Sequence, residues 1–268
     1  MFLSVLQSLS EAAPKPVWYA VGALLILLLI LLRYAVLSSA GYSLGLALGR
    51  WAPWRRLQPR PFSSAQISRE IRDSVVTVIV FTGIVGLIIL MKQAGLTAIY
   101  DDPLHYGAVW LVLQIPVALL IHDWYFYWMH RLVHRPPFFE PIHRTHHLST
   151  NPSAFAAFAF HPFEAILEIA VFVPLVMVMP MYSVCLLAAS LVSLSYNVYG
   201  HLGYEIMPRW LAATWLGRLL NKSAYHNQHH RTFRYNFGLY TVIWDRLHGT
   251  LHPEAEQLYD RATRRPDG

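Results

Sequence analysis

The stretch "HDWYFYWMHRLVH", residues 122–134, ends a long apolar run with three histidines. On an α-helix, residues four apart lie on one face, so His130 and His134 are neighbours, and His122 lies on the same stripe eight residues earlier. The run at 108–129 is long enough to cross about 30 Å of hydrocarbon. The stretch therefore predicts a membrane helix that ends in a row of imidazoles.

Two further histidine groups follow along the chain. "HRTHH" at 143–147 and "HNQHH" at 226–230 each hold three histidines at positions i, i+3 and i+4. Those positions share a helical face, with Cβ atoms about 5–6 Å apart. Neutral imidazole is the commonest metal ligand in proteins and suits iron, zinc, copper and nickel. The predicted ligands are His130, His134, His143, His146, His147, His226, His229 and His230.

The number of these histidines predicts two metal ions. A structural zinc takes four protein ligands and a catalytic zinc three plus a water, so eight imidazoles exceed the need of one ion. A single cysteine, Cys185, excludes a cysteine-rich zinc site and an iron–sulfur cluster. Few carboxylates lie near the histidines, which distinguishes the site from di-iron bundles built on Glu-x-x-His pairs.

The composition indicates an integral membrane protein. Of the 268 residues, 55% are hydrophobic and 13% charged, against roughly one-quarter charged in soluble domains. Two prolines, Pro174 and Pro180, interrupt one of the apolar runs, so this run and the next could form a tight hairpin that only partly crosses the membrane and returns the chain to the face it left. Runs of spanning length occur at 17–39, 74–91, 108–129, 163–180 and 182–199.

The distribution of basic residues predicts the orientation. Six arginines lie within 40–73, whereas the loop 92–107 offers Lys92 against Asp101 and Asp102. By the positive-inside rule, the first segment is cytoplasmic and the second is outside. Alternation then delivers every clustered histidine to the cytoplasmic side. We expect an all-α, polytopic membrane protein with four or five transmembrane helices and a cytoplasmic, histidine-rich helical cap.

The net charge of +6 fits this layout. We attribute it to orientation and to acidic lipid headgroups, since no nucleic-acid-binding motif is visible. The stretch "MPRWLAATWLGRLL" at 207–220 combines Trp210 and Trp215 with Arg209 and Arg218. This pattern is typical of a helix lying in the membrane interface, and equally of a packed helix beneath the histidine site.

The ordered histidine groups, together with "FHPFE" at 160–164, "GHLGYE" at 200–205 and "WDRLHGT" at 244–250, resemble the fatty acid hydroxylase/sterol desaturase superfamily of integral-membrane di-iron enzymes. The resemblance implies that the eight histidines bind the metals and that His201 supplies a further ligand. It covers residues 115–252 as the catalytic core of a single membrane domain, 1–268, between an N-terminal transmembrane region, 1–114, and a polar C-terminal tail, 253–268.

Five more residues are candidates for the site. We expect His122 to be a tenth ligand or a partner oriented by Asp123. His161 could cap a helix, contact Glu164 or approach the metals. Hydrogen bonds from polar groups to ligand imidazoles fix their tautomers, a role open to two further residues, Asn236 and Asp245.

The resemblance implies two iron ions and O2 as co-substrate, acting on a C–H bond of a lipid from the bilayer. Hydroxylation and desaturation share their start, and the sequence does not separate them; a sterol, a fatty-acyl chain or a related lipid all fit. Alternatives with the same site are an ether-lipid monooxygenase and a carotenoid hydroxylase. A metal transporter or sensor is less well supported, because transporters place ionisable residues near the membrane midplane.

The reaction needs electrons from elsewhere. No haem, flavin or nicotinamide motif is visible in the sequence, so we expect a separate electron-donor protein that docks on the basic cytoplasmic face. No added carrier domain or retention signal is evident, which favours a bacterial inner membrane.

Overall fold

Long helices form the frame of the protein in the computed structural model, which describes residues 15–58 and 60–265. In chain order the helices are α1 (Lys15–Trp51), α2 (Ser64–Gln93), α3 (Gly107–Val133), α4 (Arg144–His147), α5 (Pro162–Ala170), α6 (Phe172–Val178), α7 (Ser183–Gly200), α8 (Arg209–Ala212), α9 (Trp215–Leu219), α10 (Ser223–Thr232), α11 (Ile243–Leu247) and α12 (Ala255–Thr263). Two strands, β1 (Ile99–Tyr100) and β2 (Met181–Tyr182), pair in parallel. The predicted all-α class is confirmed.

Within the described residues, four helices, α1, α2, α3 and α7, are long and apolar enough to cross a membrane. Their outward faces carry exposed apolar side chains, for example Leu25 and Leu32 on α1 and Val109 and Val112 on α3. Exposed apolar surface of this extent marks contact with a membrane or with another protein, and the length of the helices fits a membrane. The prediction of a polytopic membrane protein is confirmed, with four spanning helices in this part of the chain.

The run predicted at 163–180 forms two short helices instead of a spanning one. Pro174 has no N–H to bond to the carbonyl of Ala170, so α5 ends at Ala170 and α6 begins at Phe172. After α6 the chain extends through Pro180 into β2, which lies beside β1. The two prolines therefore convert this run into a broken segment that packs against α2 and α3.

An aromatic core joins α1 and α2 to the segment that follows "HRTHH" at 143–147. Tyr34 stacks on Phe158 at 5.7 Å between ring centroids, and Phe81 meets the same ring edge-on at 5.1 Å. The Tyr34 hydroxyl donates to the carbonyl of Phe155 at 2.9 Å. These contacts hold a 3-10 helix, Ala154–Phe158, between the two membrane helices.

A buried carboxylate fastens the same segment. Glu70 on α2 accepts hydrogen bonds from the Ser149 hydroxyl at 2.7 Å and from the Ser153 hydroxyl. Since Ser149 follows α4 by two residues, Glu70 fixes the exit of the chain from this helix. The sequence analysis missed Glu70, because its partners are about eighty positions away.

One face of the molecule gathers the ends of the membrane helices, and we refer to it as the histidine side. The N–H of Leu57, ahead of α2, donates to the carbonyl of Gly203, which follows α7. The Nε2 atom of His134, directly after α3, lies 3.1 Å from Nε2 of His229 on α10. The predicted histidine-rich cap is therefore formed where α1, α3 and α7 end and α2 begins.

The predicted polar tail, 253–268, contains the packed helix α12. Ala255, Tyr259 and Ala262 are buried on one face of α12, and the Tyr259 hydroxyl donates to the carbonyl of Met207 at 3.2 Å. Their spacing of four and three residues is amphipathic, a signal that the polar average of the segment conceals. Residues 266–268 lie outside the described part of the chain.

Close packing of α1 on α7 yields a stability prediction. A Cβ added at Gly41 would lie 2.6 Å from Cγ1 of Val198 and 3.2 Å from Cβ of Ala154. We expect Gly41→Ala to destabilise the protein by about 1–3 kcal/mol through overpacking, measured as a lower thermal midpoint in detergent.

Gly83→Ala on α2 is the matched control, because a Cβ at Gly83 meets nothing within 4 Å. Replacing glycine by alanine within a helix otherwise stabilises by roughly 0.5–1 kcal/mol. Equal midpoints for Gly41→Ala and Gly83→Ala would contradict the close α1–α7 approach.

Candidate metal centre

Five histidine rings meet where α3 ends, and we call them the first histidine group: His130, His134, His143, His147 and His229. Their nearest ring nitrogens lie within 4.8 Å of one another. Each ring points its Nε2 atom inward. The distance between the Nε2 atoms is 3.2 Å for His130 and His143, and 3.0 Å for His143 and His147.

Four more rings form the second histidine group: His146, His201, His226 and His230. Here the Nε2 atom of His201 is surrounded by three others, at 3.1 Å from His226, 3.2 Å from His230 and 3.3 Å from His146. All four rings are buried. The structure thus brings nine of the ten histidines predicted as ligands into two clusters.

The two groups are adjacent because they share two helices. The neighbouring residues His146 and His147 on α4 belong to different groups. On α10, His226 and His230 enter the second group and His229 the first. In each His-x-x-His-His motif, the residues at i and i+4 therefore serve one group and the residue at i+3 serves the other.

Backbone carbonyls fix the orientation of three rings. The Nδ1 atoms of His130, His229 and His201 donate to the carbonyls of Phe237, Tyr235 and Asn197, at 2.9, 2.6 and 2.7 Å. A carbonyl oxygen can only accept, so Nδ1 carries the proton of each neutral ring. The Nε2 atom is then left with a lone pair that points into its group.

Burial keeps these rings neutral. It lowers the pKa of His201 to about 4 and the pKa of His229 well below its usual range, and the charge of neighbouring imidazoles lowers the pKa of His229 further. The same two causes, burial first, lower the pKa of His143 and of His226 well below the usual range. Neutral imidazole is the form that binds a metal.

The donor geometry fits a metal ion in each group. An unprotonated Nε2 atom accepts at most one hydrogen bond, so the three contacts around His201 cannot all be hydrogen bonds. A cation among the facing lone pairs removes the repulsion. Imidazole nitrogens lie about 2.0–2.1 Å from a metal, which sets two ligands at right angles about 3.0 Å apart, close to the distances observed.

Glu164 on α5 is the buried carboxylate that contacts the first group. Its Oε1 atom lies 2.6 Å from Nδ1 of His143, and the Glu164 side chain is fully buried. A carboxylate in this position fixes the ring and raises the basicity of its other nitrogen. The sequence analysis associated Glu164 with His161 because both lie in "FHPFE", whereas its partner is 21 positions away.

A tight turn after α10 supplies two of the accepting carbonyls. Phe233 and Asn236 adopt left-handed backbone conformations, with φ of 61° and 59°, which costs on the order of 1 kcal/mol or more for a residue other than glycine. The turn brings the carbonyls of Tyr235 and Phe237 back to His229 and His130.

Asn236 and Asp245 hold this turn and contact none of the nine rings. The Asn236 amide donates to the carbonyl of Tyr225 at 3.0 Å. Asp245 accepts from the N–H groups of Phe237 and Gly238 at 2.9 and 2.8 Å. Their predicted bonds to ligand imidazoles are replaced by bonds to the backbone that carries the accepting carbonyls.

Three other candidates also lie outside the groups. His122 is eight residues, or roughly 12 Å, from His130 along α3, and its Nδ1 atom lies 2.8 Å from the Tyr240 hydroxyl. Asp123 bonds to Tyr240 N–H and Thr241 rather than to His122. His161 caps α5, accepting from the N–H of Phe163 at 3.4 Å.

Comparison with known proteins finds one family match and several relatives. Residues 115–250 match the family Fatty acid hydroxylase. Human lathosterol oxidase is 29% identical over 71% of the chain and 62% of its own length, and the mouse protein is 30% identical over 72% and 64%. A Delta(7)-sterol 5(6)-desaturase of Aspergillus fumigatus is 27% identical over 76% and 56%.

The chain spans less than two thirds of the length of these relatives. No solved structure matches it significantly. The family match covers half of the chain and includes both histidine groups. The resemblance predicted from the histidine motifs is confirmed, and the chain belongs to the fatty acid hydroxylase family.

Proposed function

We propose that this protein is a membrane-bound di-iron oxygenase that uses O2 to desaturate or hydroxylate a C–H bond of a sterol-like lipid. The observation that carries the proposal is the pair of adjacent groups of five and four imidazoles, at the end of the membrane helices. When bound, two iron ions supply the reductive activation of O2 that an unactivated C–H bond requires. The nine histidines of the two groups would hold them.

The protein residues orient and shield this site. Carbonyls of Asn197, Tyr235 and Phe237 and the carboxylate of Glu164 fix four rings, so their Nε2 atoms need little rearrangement on binding a metal. All the rings except that of His134 are buried. Exclusion of bulk water protects reactive species from side reactions.

Aromatic side chains form an apolar wall beside the first group, which favours a lipid substrate. The ring centroid of Phe237 lies 5.3 Å from that of His134, and the centroid of Phe139 lies 5.6 Å from the same point. Phe233 packs on His147 at 4.5 Å. A hydrocarbon chain or ring system from the bilayer can pack against such a wall, because neither surface has hydrogen bonds to lose.

The names of the relatives support a sterol and favour desaturation. They are lathosterol oxidases and Delta(7)-sterol 5(6)-desaturases. Both names denote oxidoreductases, as proposed for this protein. Neither name points to an ether lipid or a carotenoid. A transporter or sensor gains no support from rings that are buried at the helix ends.

We further propose that a separate protein donates the electrons and that the histidine side faces the cytoplasm. Arg50, Arg55 and Arg56 lie on that side, at the end of α1 and just after it, as the positive-inside rule requires. The relatives named above come from animals and fungi, so a bacterial inner membrane stays a prediction from sequence.

Expression in a sterol-containing host tests the reaction. Mass spectrometry of the lipids from cells with and without the gene should show a sterol that has lost two hydrogens or gained one oxygen. An unchanged lipid profile with a metal-loaded protein would contradict the proposed activity.

Metal content tests the two groups separately. We expect about two metal ions per purified chain, because each group offers enough nitrogens for one. His147→Ala and His230→Ala, one from each group, should each retain about one ion by elemental analysis and lose product formation.

His105→Ala is the control, since His105 packs against Tyr100 and Tyr106 and belongs to neither group. It should keep the wild-type metal content. Two ions in both His147→Ala and His230→Ala would show that these rings are not ligands.

Glu164→Gln tests the carboxylate at His143. Replacing the carboxyl group by an amide should weaken metal retention by about 10–100-fold, the usual effect of removing such a partner, measured by competition with a chelator. Glu168→Gln, one turn along α5, is the matched control. The role of Glu164 is refuted if both variants lose metal at the same rate as the wild type.

A further inference from the structure

A basic cleft opens on the histidine side, apart from both histidine groups. It has a volume of about 490 Å³. Two aromatic residues, Trp210 and Tyr259, form part of its wall. The charged residues that line it are Arg209, Arg218, Lys222, Arg246, Glu256 and Asp260.

The cleft has more positive than negative charge. Glu256 is shared between Lys222, at 3.0 Å, and Arg246, at 3.3 Å. Asp260 lies 3.8 Å from Arg209. Arg218 is exposed and forms no ion pair with any residue of the described chain. Four cations therefore face two carboxylates, which makes the cleft suitable for an anion.

Hydrogen bonds place the cleft near the end of a membrane helix. The N–H of Val242 donates to the carbonyl of Leu219, the last residue of α9, at 2.8 Å. Two residues later, the carbonyl of Asn221 accepts from the hydroxyl of Tyr196 at 2.6 Å. Tyr196 lies on the spanning helix α7, four residues before its end. The α9 wall of the cleft thus lies at the membrane boundary.

Exposed tryptophans support this position of the cleft. Trp210 on α8 and Trp215 on α9 are 72% and 77% exposed, and Leu216 beside them is also exposed. Trp124 and Trp128 are exposed near the end of α3. Tryptophan is enriched at the membrane–water interface, where lipid headgroups begin. The stretch predicted as one helix is broken at Thr214, whose hydroxyl accepts from the N–H of Gly217, and both pieces turn a tryptophan outward.

We propose that this cleft binds the phosphate headgroup of an anionic phospholipid. Guanidinium groups bind phosphate through paired, charge-assisted hydrogen bonds, and no carboxylate within residues 15–58 and 60–265 pairs with Arg218. The acyl chains would run along Trp215 and Leu216 into the bilayer. A soluble acidic protein would leave this apolar rim without a hydrophobic partner, so the lipid accounts for both features.

Native mass spectrometry tests the lipid site. The protein would be exchanged into equimolar phosphatidylglycerol and phosphatidylcholine and released from the detergent. Wild type should retain phosphatidylglycerol in preference, and Arg218→Gln should lower that preference about fivefold, the effect of one basic residue near an anionic surface. Arg218→Lys should retain part of it, because the charge is kept but the paired hydrogen bonds of the guanidinium group are lost.

Arg261→Gln on α12 is the matched control. Arg261 is exposed and carries the same charge but does not line the cleft, so this variant should bind lipid like wild type. Equal retention by wild type and Arg218→Gln would overturn the proposal. An Arg218→Gln variant that retains lipid but loses cross-linking to an acidic electron-donor protein would overturn it in favour of a protein-docking surface.

Discussion

Mutual repulsion between buried imidazole nitrogens is the constraint on which this structure depends. Around His201, three Nε2 atoms lie at 3.1–3.3 Å from a fourth whose proton is on the other side of the ring. At most one of the three can donate a hydrogen bond to that fourth nitrogen, so the other contacts bring nitrogens together without a hydrogen bond, which is unfavourable in a buried site unless a cation binds them. The fold therefore has to hold these rings against their own repulsion.

Several parts of the fold can be understood as holding the rings in place. The turn at Phe233–Asn236 accepts backbone strain and returns two carbonyls to the site. Asp123 and Asp245 fasten the segment after this turn, one to α3 and the other to the turn itself. Glu70 fixes the chain where it leaves α4. These three carboxylates bond to the scaffold. Glu164, in contrast, bonds to the ring of His143.

Spacing along the chain was sufficient to name most of the histidines that form the two groups. The motifs at 130–134, 143–147 and 226–230 follow helical periodicity, so the sequence could identify eight histidines. His201 followed from the family resemblance. Periodicity alone could not divide them, because neighbours such as His146 and His147 diverge to different groups only once α4 is docked. His122 was overestimated for the opposite reason: it shares a stripe with His130 but lies roughly 12 Å away along the axis.

Other misses have a tertiary origin as well. The polar composition of its segment obscured α12. The prolines of the apolar run at 163–180 were visible in the sequence, but whether this run crosses the membrane fully was left open. The partners of Glu70 and Glu164 are distant in sequence. Long-range contacts of this kind leave no local signal. Membrane class, helix content and the positions of α1, α2, α3 and α7 had strong local signals and were predicted correctly.

The most direct test of the central claim is X-ray absorption spectroscopy of the iron-loaded protein. If facing Nε2 atoms are the ligands, the spectra will show about four to five imidazole rings per metal, with iron–nitrogen distances of about 2.1 Å and no sulfur ligand. A coordination sphere dominated by carboxylate oxygen, or one with fewer than three imidazoles per metal, would contradict the account.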